Sequence, residues 1–448
     1  MTMKNVMLAT TALVMIGAGA MPALAGSVDI DTNGSGYAVT FLQGFGDADG
    51  KAAALSAWGS QNSAFASGGF AVSDPDHAPG GNGNGKDKNN TPAHWSADHA
   101  EAAGTVDVSA AVSAWLDSVA SHSGNSATIE GEGDDNSVTL LQAGADNTAT
   151  LTQDGDDNAA YATQATDGGT MTLGQDGDSN SAYAAQVGSI TATTTITQGG
   201  NDNNASVIQM RGATDGVSIA SIVQTGNANT ASILAQGTTH ADGLKVTQSG
   251  SSVAMLAAYG DGNKATVTQS AASGWVNLYI SGETNTVSVT QGADADAAIA
   301  LTGNSNSLTM TQDGSGSFGS VVVSGNTNAL TLDMAAAGGL VDVAIDGNSN
   351  TVTVSQSIAA LNAITKIDID GDDNLASVTQ TAANTEAEIA MGDDTLSYSV
   401  TLSQSVAGAT ADLSFDGRKD QYKLRGHSVA NVTVSETGGR RSYTIAQF

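Results

Sequence analysis

The residue types best equipped for chemistry are unevenly placed along this 448-residue chain. Aspartates gather in short turns, Asp154-Gly-Asp156-Asp157, Asp176-Gly-Asp178 and Asp370-Gly-Asp372-Asp373, and in Asp29-x-Asp31-x-Asn33-Gly34. Oxygen ligands at such spacing suit calcium. Thr40, however, stands where the helix–loop–helix calcium loop needs Glu, and the glycine nonapeptide of calcium rolls is missing. Solvated turns are therefore the preferred reading, with calcium left open. His94 and His99 could touch a metal but have no matched third ligand. Ser, His and Asp are all present, yet no nucleophile elbow or positioned triad occurs. The absence of Cys removes thiolate sites, Cys nucleophiles and disulfides. No catalytic residue, metal site or cofactor is expected, and the chain does not read as an enzyme.

What recurs instead is the side-chain amide. From about residue 126 the pattern Gly-x-x-Asn-x-φ-x-φ-x-Gln repeats, φ being aliphatic or Ala. Asn and Gln stand six apart at Asn136/Gln142, Asn147/Gln153, Asn158/Gln164, Asn180/Gln186, Asn203/Gln209, Asn263/Gln269, Asn285/Gln291, Asn306/Gln312, Asn350/Gln356 and Asn374/Gln380. Degenerate copies lie at Asn328 and near Asn229. A self-similar period has to be explained before any local motif. In Asn285-Thr-Val287-Ser-Val289-Thr-Gln291 the two-residue alternation of a strand puts Asn, both valines and Gln on one face, with the hydroxyls on the other. The Gly-x-x before each Asn supplies a turn.

These elements assemble in one way. In the first half Gln142, Gln153, Gln164, Gln175, Gln186, Gln198 and Gln209 recur at about 11 residues; later Gln269, Gln291, Gln312, Gln356 and Gln380 recur at 21–24, with Met334 in the place of a Gln between Gln312 and Gln356. Between the later copies lie Val276-Leu278-Ile280, Ile299-Leu301, Val321-Val323, Val341-Val343-Ile345 and Ile367-Ile369, read as strands that have lost their Gln. The expected fold is all-β, a β-solenoid of about 13 two-stranded coils of ~22 residues stacked at about 4.8 Å, roughly 60 Å long. Stacking sets like residues over like, so inward amides can bond along the axis. A buried amide without a partner would cost on the order of 1–3 kcal/mol.

Composition agrees. With 14 Lys+Arg against 45 Asp+Glu the net charge is −31, which argues against nucleic-acid binding. All four prolines fall in the first 92 residues, leaving a long stretch in which every backbone N–H can enter a ladder. Residues 1–25, with Lys4, an apolar run and Ala23-Leu24-Ala25, read as a secretory signal peptide, so secretion to the extracellular space or bacterial cell surface is expected, with no membrane-spanning segment. Residues 26–70 hold degenerate strands. Residues 71–125 combine a Gly/Asn-rich linker with a helix near 106–121, where Val108, Val112, Trp115 and Val119 recur at helical spacing and would cover an end or a face of the repeats. The solenoid then runs 126–416, and 417–448 is a basic terminal coil.

The Gln-x4-Asn-x5-Gln spacing of Gln142…Asn147…Gln153, Gln153…Asn158…Gln164, Gln175…Asn180…Gln186 and Gln198…Asn203…Gln209, flanked by glycine turns, resembles the curlin repeat of curli, the bacterial surface amyloid fibres. The resemblance extends over roughly residues 126–448. It implies a secreted subunit that assembles with copies of itself into fibres for adhesion and biofilm matrix. It also implies related curlin-type subunits as partners and export through a curli-type outer-membrane pore.

Two further patterns remain. Arg418, Lys419, Lys423, Arg425, Arg440 and Arg441 place six of the 14 cations in the last 31 residues, either to dock on an anionic surface or acidic neighbour, or as a charge-guarded cap. Outward Thr266, Ser288, Thr309, Thr331, Thr353 and Ser377, beside Thr268, Thr290, Thr311 and Ser355, would form hydroxyl columns resembling those of ice-binding β-solenoids. Ice binding and a non-polymerising cell-surface adhesin are the alternatives to the fibre subunit.

Overall fold

A computed structural model describes residues 12–15, 27–43, 124–188, 191–210, 217–237, 240–270, 274–292, 295–314, 317, 319–323, 325–335, 341–345, 347–357, 364–367, 375–381, 386–389, 398–404, 410–416, 419–425, 432–436 and 442–445. Among them every regular element is a strand, and no helix is long and apolar enough to cross a membrane. The helix expected near 106–121 lies outside the described residues. The chain forms two compact units, residues 1–251 with 255–262, and residues 252–254 with 263–448.

The first unit is a parallel two-sheet β-solenoid. One sheet holds Ser27–Asn33, Ser126–Glu132, Thr148–Asp154, Thr170–Asp176, Thr191–Gly199, Val217–Thr225 and His240–Ser249 in that order. The other holds Ala38–Gln43, Ser137–Ala143, Ala159–Thr166, Ser181–Gly188, Asn204–Met210 and Thr230–Gln236. Successive strands alternate between sheets, so each coil takes about 22 residues and Gln153 faces Gln175 in register. The N-terminal strands pair without a gap onto the repeats: Ile30 lies against Ile129 and Phe41 against Leu140. Ala12–Met15 pairs in turn with Ala38–Phe41.

Thr, Val, Ile and Ala alternate along these strands, which suits a pleated ladder with one apolar face. Val138, Leu140, Leu151, Leu173, Ile196 and Ile222 fill the space between the sheets. At each corner Gly opens the turn and a second residue takes the left-handed conformation just before the Asn: Gly133 and Asp135 (φ 100° and 56°), Gly155 and Asp157, Gly177 and Ser179, Gly226 and Ala228. Gly155 is also needed for space, because a Cβ there would lie 2.3 Å from the carbonyl oxygen of Gly177 in the next coil.

In the second unit the sheet that continues the repeat contains Lys264–Gln269, Thr286–Gln291, Ser307–Gln312, Ala329–Met334, Thr351–Gln356, Leu375–Gln380 and Tyr398–Gln404, all parallel. On the opposite side the first aliphatic run forms the strand Trp275–Ser281, and further along Ile364–Lys366, Glu386–Ile389 and Thr410–Asp416 pair in parallel in a separate sheet. Ile299, Leu301, Val321, Val323, Val341, Val343 and Ile345 are buried as an inward strand requires, yet none lies in a strand, and the isolated bridges fall before them, Trp275 with Asp296 and Ala295 with Ser317. Ile299 (φ 59°) and Ser320 (φ 62°), one coil apart, take the left-handed conformation, which breaks the alternation a ladder needs. Among the described residues the β-solenoid has about ten turns of about 22 residues.

The C-terminal residues do not add another parallel coil. Val432–Glu436 pairs antiparallel with Tyr398–Gln404, and Ser442–Ile445 antiparallel with Val432–Glu436. In a separate four-stranded sheet, Lys419–Arg425 pairs antiparallel with Thr410–Asp416.

Candidate functional site

The inward amides come together in columns. Between the sheets of the first unit, Gln153 Nε2 donates to Gln175 Oε1 (2.9 Å), Gln175 to Gln198 (3.0 Å), Gln198 to Gln224 (2.9 Å) and Gln224 to Gln248 (2.9 Å). From the other sheet, Gln142 donates to Gln164 (2.9 Å) and Gln164 to Gln186 (3.1 Å). The second unit repeats the arrangement with Gln269, Gln291 and Gln312 (2.8 and 2.9 Å). These glutamines are at most 3 % exposed. Each Nε2 has a second hydrogen, which goes across the core to the opposite strand: Gln153 to Ser137 O, Gln175 to Ala159 O and Gln291 to Trp275 O, at 3.0–3.1 Å. Both amide hydrogens are thereby used, one binding coil to coil and one binding sheet to sheet, which is the condition for burying an amide without penalty.

Asparagine does the corresponding work at the corners. The backbone N–H of Asn158, Asn180, Asn203 and Asn229 each donates to Oδ1 of the Asn one coil earlier (2.8–3.0 Å). The second unit does the same from Asn263 through Asn285, Asn306 and Asn328 to Asn350. Asn136 and Asn158 Nδ2 donate onward to the turn carbonyls of Gly155 and Gly177 (both 2.7 Å). At the opposite corner Asn125 Oδ1 accepts from Asn147 N, and Asn147 Oδ1 from Gly169 N. Carboxylates join this scheme: Asp156 Oδ1 accepts from Asp134 N (2.7 Å) and Asp178 Oδ1 from Asp156 N (3.0 Å). Asp134 takes the backbone N–H of Ser35 (2.7 Å), and its hydrogen bonds to Ser35 hold its carboxyl below the usual range. Among the described residues no group of three His or carboxylate side chains is placed to hold a metal ion.

The columns end in substitutions. Gly131 occupies the position that precedes Gln153 in register, and the phenol of Tyr37 fills the space, donating to Gln153 Oε1 (2.5 Å). A Cβ at residue 131 would lie 2.1 Å from the Tyr37 oxygen, so Gly131 is what admits the ring. Burial raises the Tyr37 pKa well above its ordinary value. Beyond Gln186 the hydroxyl of Thr194 takes over, accepting from Gln186 and donating to Gln209, and Gln209 Nε2 donates to Ser218 Oγ. In the second unit Gln312 Nε2 meets Met334 Sδ at 3.9 Å, and Gln356 donates to Thr365 Oγ1.

Of the residues singled out from the sequence, Asn374 lies outside the described residues, and Gln380 pairs by backbone register with Gln356 and Gln404. Lys419, Lys423 and Arg425 belong to the antiparallel strand Lys419–Arg425; Arg418, Arg440 and Arg441 lie outside the described residues. The repeat pattern missed Gln224 and Gln248, because insertions stretch their spacing to 26 and 24 residues. Tyr37 left no periodic signal at all.

A parallel solenoid whose interior is a hydrogen-bonded amide lattice is a structural module, with its polar groups satisfied by one another. Residues 144–177 match the family model of the curlin associated repeat, a window that contains Asn147, Gln153, Asn158, Gln164 and Gln175. No curated protein matches the chain.

Proposed function

We propose that the chain is a secreted structural subunit that self-assembles through its β-solenoid edges into curli-like fibres serving adhesion and biofilm matrix at the bacterial surface, after export through a curli-type outer-membrane pore. The observation that carries this reading is the like-on-like amide ladder. The bonds that join Gln153 to Gln175 within the chain are the bonds a further coil from another chain would make. An unpaired strand edge recruits a partner through its free N–H and C=O groups. Charge supports a head-to-tail sense: Asp29 and Asp31 are exposed on the first edge strand, Ser27–Asn33, whereas Lys419, Lys423 and Arg425 belong to an edge strand near the C-terminus. The net charge of −31 opposes association and is screened by salt.

The test is incubation of the mature protein with a cross-β dye at low and at physiological salt. Dye-positive fibres that form faster with salt are expected; a persistent monomer in both conditions overturns the reading. One observation favours a second reading. Thr266, Ser288, Thr309, Thr331 and Thr353 stand in register on an outward face, interrupted beside them by Asp333. Thermal hysteresis of the dye-negative monomer would move the assignment to ice binding.

A further inference from the structure

The two sheets of the first unit do not end together at their N-terminal side. One ends with Ser27–Asn33; among the described residues nothing pairs with the outer edge of that strand. The other runs one strand further. Ala12–Met15 lies parallel against Ala38–Gln43, with Ala12 opposite Ala38, Leu13 opposite Val39, Val14 opposite Thr40 and Met15 opposite Phe41. These four residues fall inside residues 1–25, the segment read as a secretory leader.

Ala12–Met15 holds the place of a coil without the full chemistry of one. On its other side Ala38–Gln43 pairs with Ser137–Ala143 over six residues, and Gln43 stands opposite Gln142. The leader strand pairs over four residues and stops short of Gln43. Leu13 and Met15 take the register positions beside Val39 and Phe41, which continue as the buried Val138 and Leu140. The strand therefore satisfies the backbone of the edge and brings no amide to the glutamine register. Backbone direction makes the pairing readable. Ala38 N donates to Asn136 O (2.8 Å), on the side of Ser137–Ala143. Successive N–H groups of a strand point to opposite sides, so those of Val39 and Phe41 point toward Ala12–Met15.

We propose that Ala12–Met15 is a removable cap on the edge Ala38–Gln43. While the leader is attached, one of the two edges at this end is occupied, and an incoming coil meets a step. Hydrolysis of the peptide bond after Ala25 removes the cap. Ser27–Asn33 and Ala38–Gln43, two strands of one coil joined by the bend at residues 34–36, then form a level end. A second copy can add both strands of its own coil there and set a Gln opposite Gln43. This consequence for assembly rests on the fibre reading; the cap itself does not.

Two altered forms of the full-length chain test it. Val14→Pro takes an N–H out of the middle of the cap. In the other form the folded chain is cut after Ala25 at a protease site placed there, and the freed leader is removed. Hydrogen exchange is then read residue by residue in monomers. The Val39 and Phe41 amides are expected to exchange at least about tenfold faster in both altered forms than in the parent. Those of Ala38 and Thr40 should keep their rates. Unchanged rates at Val39 and Phe41 in the cut chain overturn the cap. So does a matching loss of protection at Ala38 and Thr40, because the whole strand would then have come away. Should Val14→Pro fail to fold, the cut chain, folded before cleavage, carries the comparison. Seeded growth followed with a cross-β dye reads the consequence: the cut chain should extend seeds at least about tenfold faster than the parent. Equal growth despite the exchange contrast overturns the docking role of this edge. No growth from any form sinks the fibre reading, while the exchange rates still decide the cap.

Discussion

Replacing Gln175 with Leu removes one link from the middle of the longest glutamine column. Its Oε1 accepts from Gln153, and its Nε2 donates to Gln198 and to Ala159 O. The substitution strands one amide hydrogen of Gln153 and the acceptor oxygen of Gln198, both buried. At about 1–3 kcal/mol for each of the two stranded groups, offset by about 1–2 kcal/mol from burying an apolar side chain, the centre of these ranges puts the net loss at about 2.5 kcal/mol. The sharper expectation concerns the pair. Gln175→Leu with Gln198→Leu again leaves two broken column ends, now on Gln153 and Gln224, so the second substitution should add less than about 1 kcal/mol. Hydrogen exchange of the amides in Thr170–Asp176 and Thr191–Gly199 reads this locally, where global unfolding of a stacked protein need not be two-state. A double variant whose loss is the sum of the two singles would refute the idea that these amides form one connected column.

Met334→Gln should stabilise the second unit by about 1 kcal/mol, since it offers Gln312 Nε2 an oxygen in place of a sulfur at 3.9 Å and aligns with Gln356; a urea titration of each variant checks it. Ala228→Gly should raise the melting temperature slightly, because Ala228 holds φ 56° and relief of about 1–2 kcal/mol of left-handed strain exceeds the entropy that glycine adds to the unfolded chain. Tyr37 stays neutral in the folded state because burial raises its pKa, so its contribution is complete below the ordinary tyrosine value of about 10 and declines as pH rises past it. Tyr37→Phe should therefore lower stability at neutral pH by about 1–3 kcal/mol through Gln153 Oε1, and lose less than the parent on going from pH 9 to 11 in thermal melts. The carboxyl of Asp134 is shifted the other way, so its hold on Ser35 is present above the ordinary aspartate range and fades as acid protonates it; amide exchange at Ser35 should accelerate in Asp134→Asn less steeply with acid than in the parent.

The inward lattice was legible from spacing because stacking demands identity: Asn285 and Asn306 must resemble each other to bond across a coil. What spacing could not show falls where identity is not required. Tyr37 ends a column rather than continuing it, and its partner signal is a lone Gly131. Thr194 and Ser218 replace an amide by a hydroxyl, and an isolated hydroxyl in a Thr-rich strand looks like every other one. Val321 and Val343 alternate as strand residues should, but pairing also depends on backbone conformation, which Ile299 and Ser320 break without any glycine to mark it. The contrast between Leu141, Ile208 and Leu234 on one outer face and Thr150 and Thr152 on the other was present in the sequence; it becomes visible only once odd and even strands are assigned to different sheets.

Every glutamine in these columns hands its hydrogen toward the higher-numbered neighbour, whereas Asn203, Asn285 and Asn328 hand theirs toward the lower-numbered one. The two kinds of amide wire therefore run in opposite senses. Within each wire the order of donor and acceptor never reverses from coil to coil. A further rung of the same kind can join only in that sense, so a filament built from these rungs would have an intrinsic arrow.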